Sequence, residues 1–479
     1  MATLVRNAFA GLAVLLAAAA AGSAARAQAA AGQDALYCSG LDLAESYDGS
    51  EGLAVVSVGR DGYLFSTTRA LNELSPYSRE SFHYIRRLAE ALKWRGTNLV
   101  MAVTPPRGVV LHAFMDPDRP EHAAFSPERT YANYSANIEV LRQAGVIAPN
   151  LLDAVLVDDP VLRTAVYFHD DFHWAPQGAR LSAEAIAQAI RAHPDAARLT
   201  AHDFALESLG FRDTYGPYSD AVDQICGVRP PSKRYEFFAT PEAPAGPATS
   251  ADLLIDEPAE SSESLLFGPV EENIVLVGTS FSQRVNNDAN FPGMLAHYAG
   301  AFVDNRAVAG GGLTTTIEGY LRSRDFQNQP PPFLVWELAA YYDIDGEPAF
   351  FRAVIPEALG ECAAADAVAS GAAELRDGRA VLVAAAGGAP IPVDRTFLFL
   401  EVDDLSLVKF TLEIEDATGF VDRVPIDRST RVLNDGRFFL ELLDLGAPVV
   451  EVRLAYDGDH RGDVATRVCR EPAGVAPLF

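Results

Sequence analysis

The chain has 479 residues, of which 49% are apolar, and its 65 acidic against 38 basic side chains give a formal net charge of −27. Such a field repels nucleic acid and anionic membrane surfaces, which excludes nucleic-acid binding. The length is too great for one hydrophobic core, and two domains are expected.

The elements follow in chain order. Arg6 precedes the apolar run "AFAGLAVLLAAAAAG", and "ARAQA" closes it with small residues at alternating positions. That is the layout of a cleavable export signal over residues 1–29. The run is short for a spanning helix and no second long one follows, so a soluble mature chain is expected. "GLAVVSVGRDGYLF" reads as a hairpin turning at Asp61-Gly62. "SFHYIRRLAEALKWRG" has apolar residues at helical spacing and stops at Gly96. "TNLVMAVTPPRG" is an apolar strand running into a stiff loop that carries Arg107, and "RTYANYSANIEVLRQAG" is a second amphipathic helix. "FHDDFHWAPQG" (168–178) leads into the helix "APQGARLSAEAIAQAIRAH", with Pro176 at its first turn. "ATPEAPAGPATSADLLIDEPAESSES" is rich in Pro, Ala and acids and reads as an exposed excursion. "NIVLVG" and "FLVWELAAYY" are unalternating apolar runs, as expected of parallel strands covered on both faces. "VAGGG" (308–312) follows another strand candidate, and "QNQPPP" is a loop. Strand–helix alternation over this stretch predicts a doubly wound, mostly parallel α/β sheet over residues 30–358.

Beyond Cys362 the pattern changes. "RAVLVAAAG", "RTFLFLEVDD", "VKFTLEIED", "FVDRVPIDR", "GRFFLELLDL" and "VVEVRLAY" are short strand-like runs separated by Gly, Asp and Asn. They predict an all-β sandwich over 359–479. The cysteines, Cys38, Cys226, Cys362 and Cys469, are even in number and unclustered, which in an exported chain points to two disulfides. Of the three possible pairings, Cys38–Cys226 and Cys362–Cys469 would each staple one domain.

Two stretches carry chemistry. In "NIVLVGTSFS" (273–282) a buried strand ends at Val277, Gly278 allows a tight turn, and Ser280 stands at the sheet's carboxyl edge, where open α/β sheets bind ligands. A serine needs a base to become a nucleophile. His173 is the candidate, with Asp171 two residues upstream to accept from its Nδ1. Asp170 competes for that role, His169 is read as a spectator, and Trp174 as a wall or floor of the site. His169, Asp170, Asp171 and His173 are also metal-ligand types, but no H-E-x-x-H-like framework accompanies them, and no metal is expected. Arg107 and the amides of Gly310, Gly311 and Gly312 are candidates for contacting substrate or an oxyanion.

"DFHW", "VGTSFS", "TPPRG" and "VWEL" together resemble the motifs of periplasmic alginate O-acetyltransferases of the AlgX/AlgJ type, within the SGNH-hydrolase-like group. Signal peptide, SGNH-like domain and C-terminal carbohydrate-binding-module-like sandwich resemble the AlgX plan, as does the cysteine layout. The resemblance implies an acetyl-enzyme on Ser280, with His173 as base and Asp171 as its orienting acid. The Asp-x-His element then precedes the serine, a permuted order relative to ordinary SGNH esterases. It further implies a periplasmic enzyme without cofactor. Its acetyl group would come from a membrane-bound O-acyltransferase or another donor protein, its acceptor would be an exopolysaccharide, and it would work beside an export complex. An acetyl-esterase with the same triad, or a non-catalytic polysaccharide-binding scaffold, are the alternatives. An alginate-type acceptor is a polyanion, at odds with the acidic chain. Lys409, Arg423, Arg428, Arg431 and Arg437 could offer a local basic patch, but their interleaving with acids reads as a solvated mixed-charge face.

Overall fold

The computed structural model describes residues 37–47, 53, 55–242, 273–283, 289–385, 390–428, 434–442, 445 and 447–475. The export signal, residues 243–264 of the acidic excursion and Arg431 lie outside them. The first part of the chain runs β1 (Val56–Val58), β2 (Leu64–Ser66), α1 (Arg79–Trp94), β3 (Asn98–Val103), α2 (Arg107–Val110), α3 (Pro127–Gln143), α4 (Leu151–Val155), α5 (Pro176–Arg191), β4 (Glu207–Thr214), α6 (Pro217–Cys226), β5 (Lys233–Ala239), β6 (Ile274–Val277), α7 (Phe291–Ala299), β7 (Val303–Asn305), α8 (Thr315–Arg322), β8 (Phe333–Leu338) and α9 (Pro348–Leu359). The remainder is all strand: β9 (Ala369–Glu374), β10 (Arg379–Ala384), β11 (Thr396–Val402), β12 (Lys409–Asp416), β13 (Val421–Asp427), β14 (Arg437–Glu441), β15 (Val449–Ala455) and β16 (Asp463–Arg470).

The central sheet is parallel, in the order β3-β8-β6-β7. Every residue of β6 and β8 is buried, which is why neither strand alternates in sequence. Helices α1, α8 and α9 form one packed group, and α4, α5 and α7 another. Helix α1 starts where Ser78 accepts the Ser81 N–H at 3.0 Å, and it buries Ile85, Leu88, Ala89 and Leu92 at helical spacing. Helix α5 presents Ala179, Ala183 and Ala187 with Ile186 and Ile190, a thin face that lets α7 approach closely. The C-terminal ends of β3, β6 and β8 lie along one edge, so the turns after Val103, Val277 and Leu338 open on a common side.

The β1–β2 hairpin turns where expected, with Asp61 at φ 54° and Gly62 at φ 75°. It belongs to a small second core with Leu41, Tyr47, Tyr218 and Val222. The Cys38–Cys226 disulfide ties the N-terminal segment to the end of α6 within this core. The Leu64 N–H donates to the His169 carbonyl at 2.8 Å, hooking the hairpin onto the histidine-rich loop.

The C-terminal third forms two antiparallel sheets, β10-β15-β12-β13 and β14-β11-β16-β9. The expected sandwich is present, with two strands beyond the six read from sequence. Strand β9 ("ASGAAE") lacks branched and aromatic residues, and β16 ("DVATRVCR") shows only an alternating burial pattern. The β4–β5 hairpin and α6 between its strands were likewise not anticipated. Strand β11 explains its own unalternating "TFLFL". Leu398 and Leu400 face the sandwich interior, while Phe397 and Phe399, with Phe439 of β14, enter the core of the α/β part. Across the same boundary the buried Arg87 of α1 meets Glu441 at 2.5 Å and Glu471 at 2.6 Å. Burial pushes the Glu441 carboxyl up to about 8 against the pull of Arg87, and the neighbouring Glu471 carboxylate adds to the rise. Cys362, just after α9, is bonded to Cys469 of β16. Among the described residues no helix is long and apolar enough to cross a membrane.

Candidate active site

The turn after β6 is shaped by a carboxylate buried beneath it. Glu337, near the end of β8, accepts the Thr279 N–H at 2.8 Å, the Thr279 hydroxyl at 3.0 Å and the Ser282 hydroxyl at 2.9 Å. These bonds take up the residues on either side of Ser280 and leave its own hydroxyl outside the cluster. Burial drives the Glu337 carboxyl up to about 7, while the bonds from Thr279 and Ser282, and His173 nearby, pull it back. Gly278 is needed because a Cβ there would lie 2.6 Å from Glu337 Oε2 and 2.8 Å from Glu337 Cβ. Sequence reading missed Glu337 as a site residue, although a charge inside the otherwise apolar "FLVWEL" was a visible signal. Gly278→Ala is expected to displace that carboxylate and leave its buried donors unpaired. It should cost about 2–4 kcal/mol of stability, read as a lower urea midpoint at unchanged slope, together with a loss of turnover.

Ser280 Oγ lies 2.7 Å from His173 Nε2, and His173 Nδ1 lies 2.8 Å from Asp171 Oδ1. The same Asp171 oxygen accepts the His173 backbone N–H at 3.2 Å, so the two-residue spacing closes a small ring that orients the imidazole. Ser280, His173 and Asp171, predicted from two distant stretches, therefore meet at the sheet's carboxyl edge. Asp171 is almost wholly buried, whereas the His173 side chain keeps 13% of its surface. Phe172 lies tilted against the His173 ring with 4.0 Å between ring centres, and Phe281 lies 4.9 Å from it.

Asp170, the competing acid, is turned away. Its Oδ2 accepts the Gly216 N–H at 2.7 Å and the Ser219 hydroxyl, and its Oδ1 faces His169 Nδ1 at 3.2 Å. Burial raises its carboxyl above the ordinary range, against the bonds from Ser219 and Gly216. Burial, with the Lys233 charge nearby, lowers His169 to about 3, so this imidazole is neutral at neutral pH. Asp170 thus anchors the loop to α6, and His169 Nε2 lies 3.1 Å from the Pro231 carbonyl. Among the described residues no group of three or more His, Cys, Asp or Glu converges as metal ligands.

Three candidates need correction or refinement. Arg107 does not reach outward: it is buried, and its guanidinium donates to the carbonyls of Leu64, Phe168 and His169 at 2.8–2.9 Å. A rigid proline loop suggested projection, but one carbonyl of β2 and two of the motif loop claim the side chain. Gly311 is not a spare oxyanion donor, because its N–H is used on the Val308 carbonyl at 2.9 Å. Gly310 and Gly312, at φ 73° and 67°, serve the turn of a loop that is itself tied to the turn bearing Ser280: Val308 N–H donates to the Gly278 carbonyl at 3.1 Å and Ala309 N–H to the Gln283 side chain. Trp174 is a floor and not a wall. It is buried against Phe281 and Phe291, and its indole N–H holds the Phe281 carbonyl at 3.0 Å. Of the basic residues in the sandwich, Lys409 pairs with Asp427 at 2.9 Å and Arg423 with Glu413 at 3.3 Å. Arg437 is buried near Glu361, and Arg428 is largely buried near Glu357. The described members form no open basic patch.

Residues 56–340 match the SGNH hydrolase-like domain of the acetyltransferase AlgX. The alginate biosynthesis protein AlgX of Pseudomonas aeruginosa is 30% identical over 383 residues, covering 80% of this chain and 76% of that protein. The probable alginate O-acetylase AlgJ of Pseudomonas putida is 27% identical over 299 residues, 61% of this chain and 71% of that protein. The solved structure of Pseudomonas aeruginosa AlgX aligns with a TM-score of 0.74 at 26% identity, covering 91% of this chain and 100% of that one. Because the match takes in the whole parallel sheet and the turn bearing Ser280, and the structural likeness extends into the sandwich, this chain belongs to the AlgX family of SGNH hydrolase-like acetyltransferases.

Proposed function

We propose that this chain is a periplasmic O-acetyltransferase that carries an acetyl group on Ser280 and delivers it to a hydroxyl of alginate or a similar exopolysaccharide. The observation that carries this reading is the unbroken relay from Ser280 Oγ through the imidazole of His173 to Asp171. A carboxylate on Nδ1 requires the proton there, so Nε2 presents its lone pair to the serine hydroxyl. In the first half-reaction His173 Nε2 takes the Ser280 proton as Oγ attacks the carbonyl carbon of the donor ester. The Ser280 N–H, which among the described residues makes no protein hydrogen bond, is the donor for the tetrahedral oxyanion. The intermediate collapses, His173 passes its proton to the leaving group, and acetyl-Ser280 remains. In the second half a sugar hydroxyl gives its proton to His173 and attacks the acetyl carbon, and Ser280 Oγ leaves with that proton. No cofactor enters these steps.

Transfer is favoured over hydrolysis because the relatives are named for alginate biosynthesis and alginate O-acetylation. In this reading residues 1–29 are the export signal, 30–358 the catalytic domain and 359–479 a polymer-holding module. A membrane-bound O-acyltransferase or another acetyl carrier supplies the donor, and an export complex brings the polymer. Brief exposure to an activated acetyl ester is expected to add one acetyl group, mapped to Ser280 by peptide mass. With an oligosaccharide present, the label should move to the sugar. Free acetate alone would favour an esterase, and an unlabelled protein would remove the acyl-enzyme.

A further inference from the structure

An acidic chain that receives an acidic polymer needs a local cation at the reacting edge, and the mechanism above leaves one unused. Arg69 lies just beyond β2, its backbone N–H donating to Ser66 Oγ at 3.3 Å. Its guanidinium carbon sits 4.1 Å from the centre of the Phe172 ring and 5.7 Å from that of Tyr341. Phe172 in turn lies 4.0 Å from the His173 ring, so the guanidinium is within about 8 Å of the base. Arg69, Phe172, Phe281 and Tyr341 line one narrow recess of about 10 Å³, alongside Thr104 and Ala340 at the C-terminal ends of β3 and β8. Among the described residues no carboxylate comes within ion-pair distance of Arg69, and the side chain is only half-buried. The contrast with Arg107 is informative: that guanidinium is spent on backbone carbonyls, whereas Arg69 is held by aromatic faces that orient the fork without neutralising it.

We propose that Arg69 determines acceptor specificity by binding the carboxylate of an acidic sugar while a ring hydroxyl of the same sugar reaches acetyl-Ser280. A guanidinium matches a carboxylate with two parallel hydrogen bonds and fixes the sugar's orientation as well as its charge. In a uronate the carboxylate lies across the pyranose ring from the secondary hydroxyls, a separation that suits a cation and a base flanking one aromatic side chain. The proposal rests on the acyl-transfer reading, which says that a sugar hydroxyl is the acceptor.

The test compares the whole protein with Arg69→Gln and Arg69→Lys, using a short oligouronate and the same oligomer with its carboxyl groups reduced to alcohols. Calorimetric titration reads binding without any transfer, and acetylation kinetics read kcat/KM. Wild type should prefer the charged oligomer. Arg69→Gln should lose roughly ten- to a hundredfold in affinity and kcat/KM for it, with little change for the reduced oligomer, and Arg69→Lys should recover part of the loss. Equal treatment of the two oligomers by wild type, or an undiminished preference in Arg69→Gln, overturns the proposal. A charge-selective loss of binding in Arg69→Gln, with no sugar acetylated by any variant, supports the anchor while removing the transferase reading. Efficient transfer with selectivity unmoved by Arg69→Gln does the reverse.

Discussion

Ser280→Ala is expected to abolish acetylation of the oligosaccharide, by roughly four to six orders of magnitude in kcat, while leaving fold and polymer binding intact. The size follows from the position. In the proposed mechanism, loss of the Ser280 hydroxyl removes the covalent intermediate, and what remains is whatever positioning and oxyanion binding contribute. The selectivity follows from the surroundings. Thr279 and Ser282 on either side are bound into the Glu337 cluster, whereas among the described residues the Ser280 hydroxyl meets only His173. Alanine therefore removes the reacting oxygen without unpairing a buried donor, and the thermal midpoint should shift by no more than about a degree or two. The measurements are acetyl incorporation into the sugar, the acetyl adduct on the protein, and the melting temperature. An unchanged acetylation rate would favour the non-catalytic scaffold.

Asp171→Asn carries the second large effect. The amide is nearly isosteric with the carboxylate, but its NH₂ cannot accept from His173 Nδ1. The favoured tautomer then places the proton on Nε2, which points an N–H at Ser280 Oγ where a lone pair is needed. A loss of about 10⁴ in kcat is expected, with the fold retained. Asp170→Asn is the control from the adjacent position. Asp170 holds Gly216 and Ser219 and not the base, so its replacement should cost about 1–3 kcal/mol of stability and far less in rate. If Asp170→Asn proved the more damaging to kcat at equal folded fraction, the assignment of the orienting acid would be reversed.

The sequence carried the α/β-then-β order because its signals were local: helical spacing in α1 and α5, unbroken apolar runs in β6 and β8, a turn at Asp61-Gly62. It carried Ser280, His173 and Asp171 as residue types in plausible turns. Whether the serine met the histidine across a hundred residues was a tertiary fact. The same limit explains the errors. Arg107 looked like a projecting cation because the three carbonyls that claim it belong to β2 and the motif loop, far away in sequence. Gly311 looked like a free donor because its partner is the carbonyl of Val308 within a turn that composition does not specify. Glu337 could have been flagged, since a carboxylate in a buried strand needs partners, but which donors it served was not written locally. Strand β9, made of Ala, Ser, Gly and Glu, is held by pairing to β16 and has almost no propensity of its own.

The doubly buried strand β11 has an evolutionary and practical corollary. Its phenylalanines complete the interior of one half while its leucines complete the other, and Arg87 meets Glu441 and Glu471 across that seam. Truncation before β9 would uncover greasy side chains and take Glu441 and Glu471 away from the buried Arg87. The C-terminal third is thus welded on and is no interchangeable cassette: a shortened version or a chimera with a foreign module would have to redesign the seam itself.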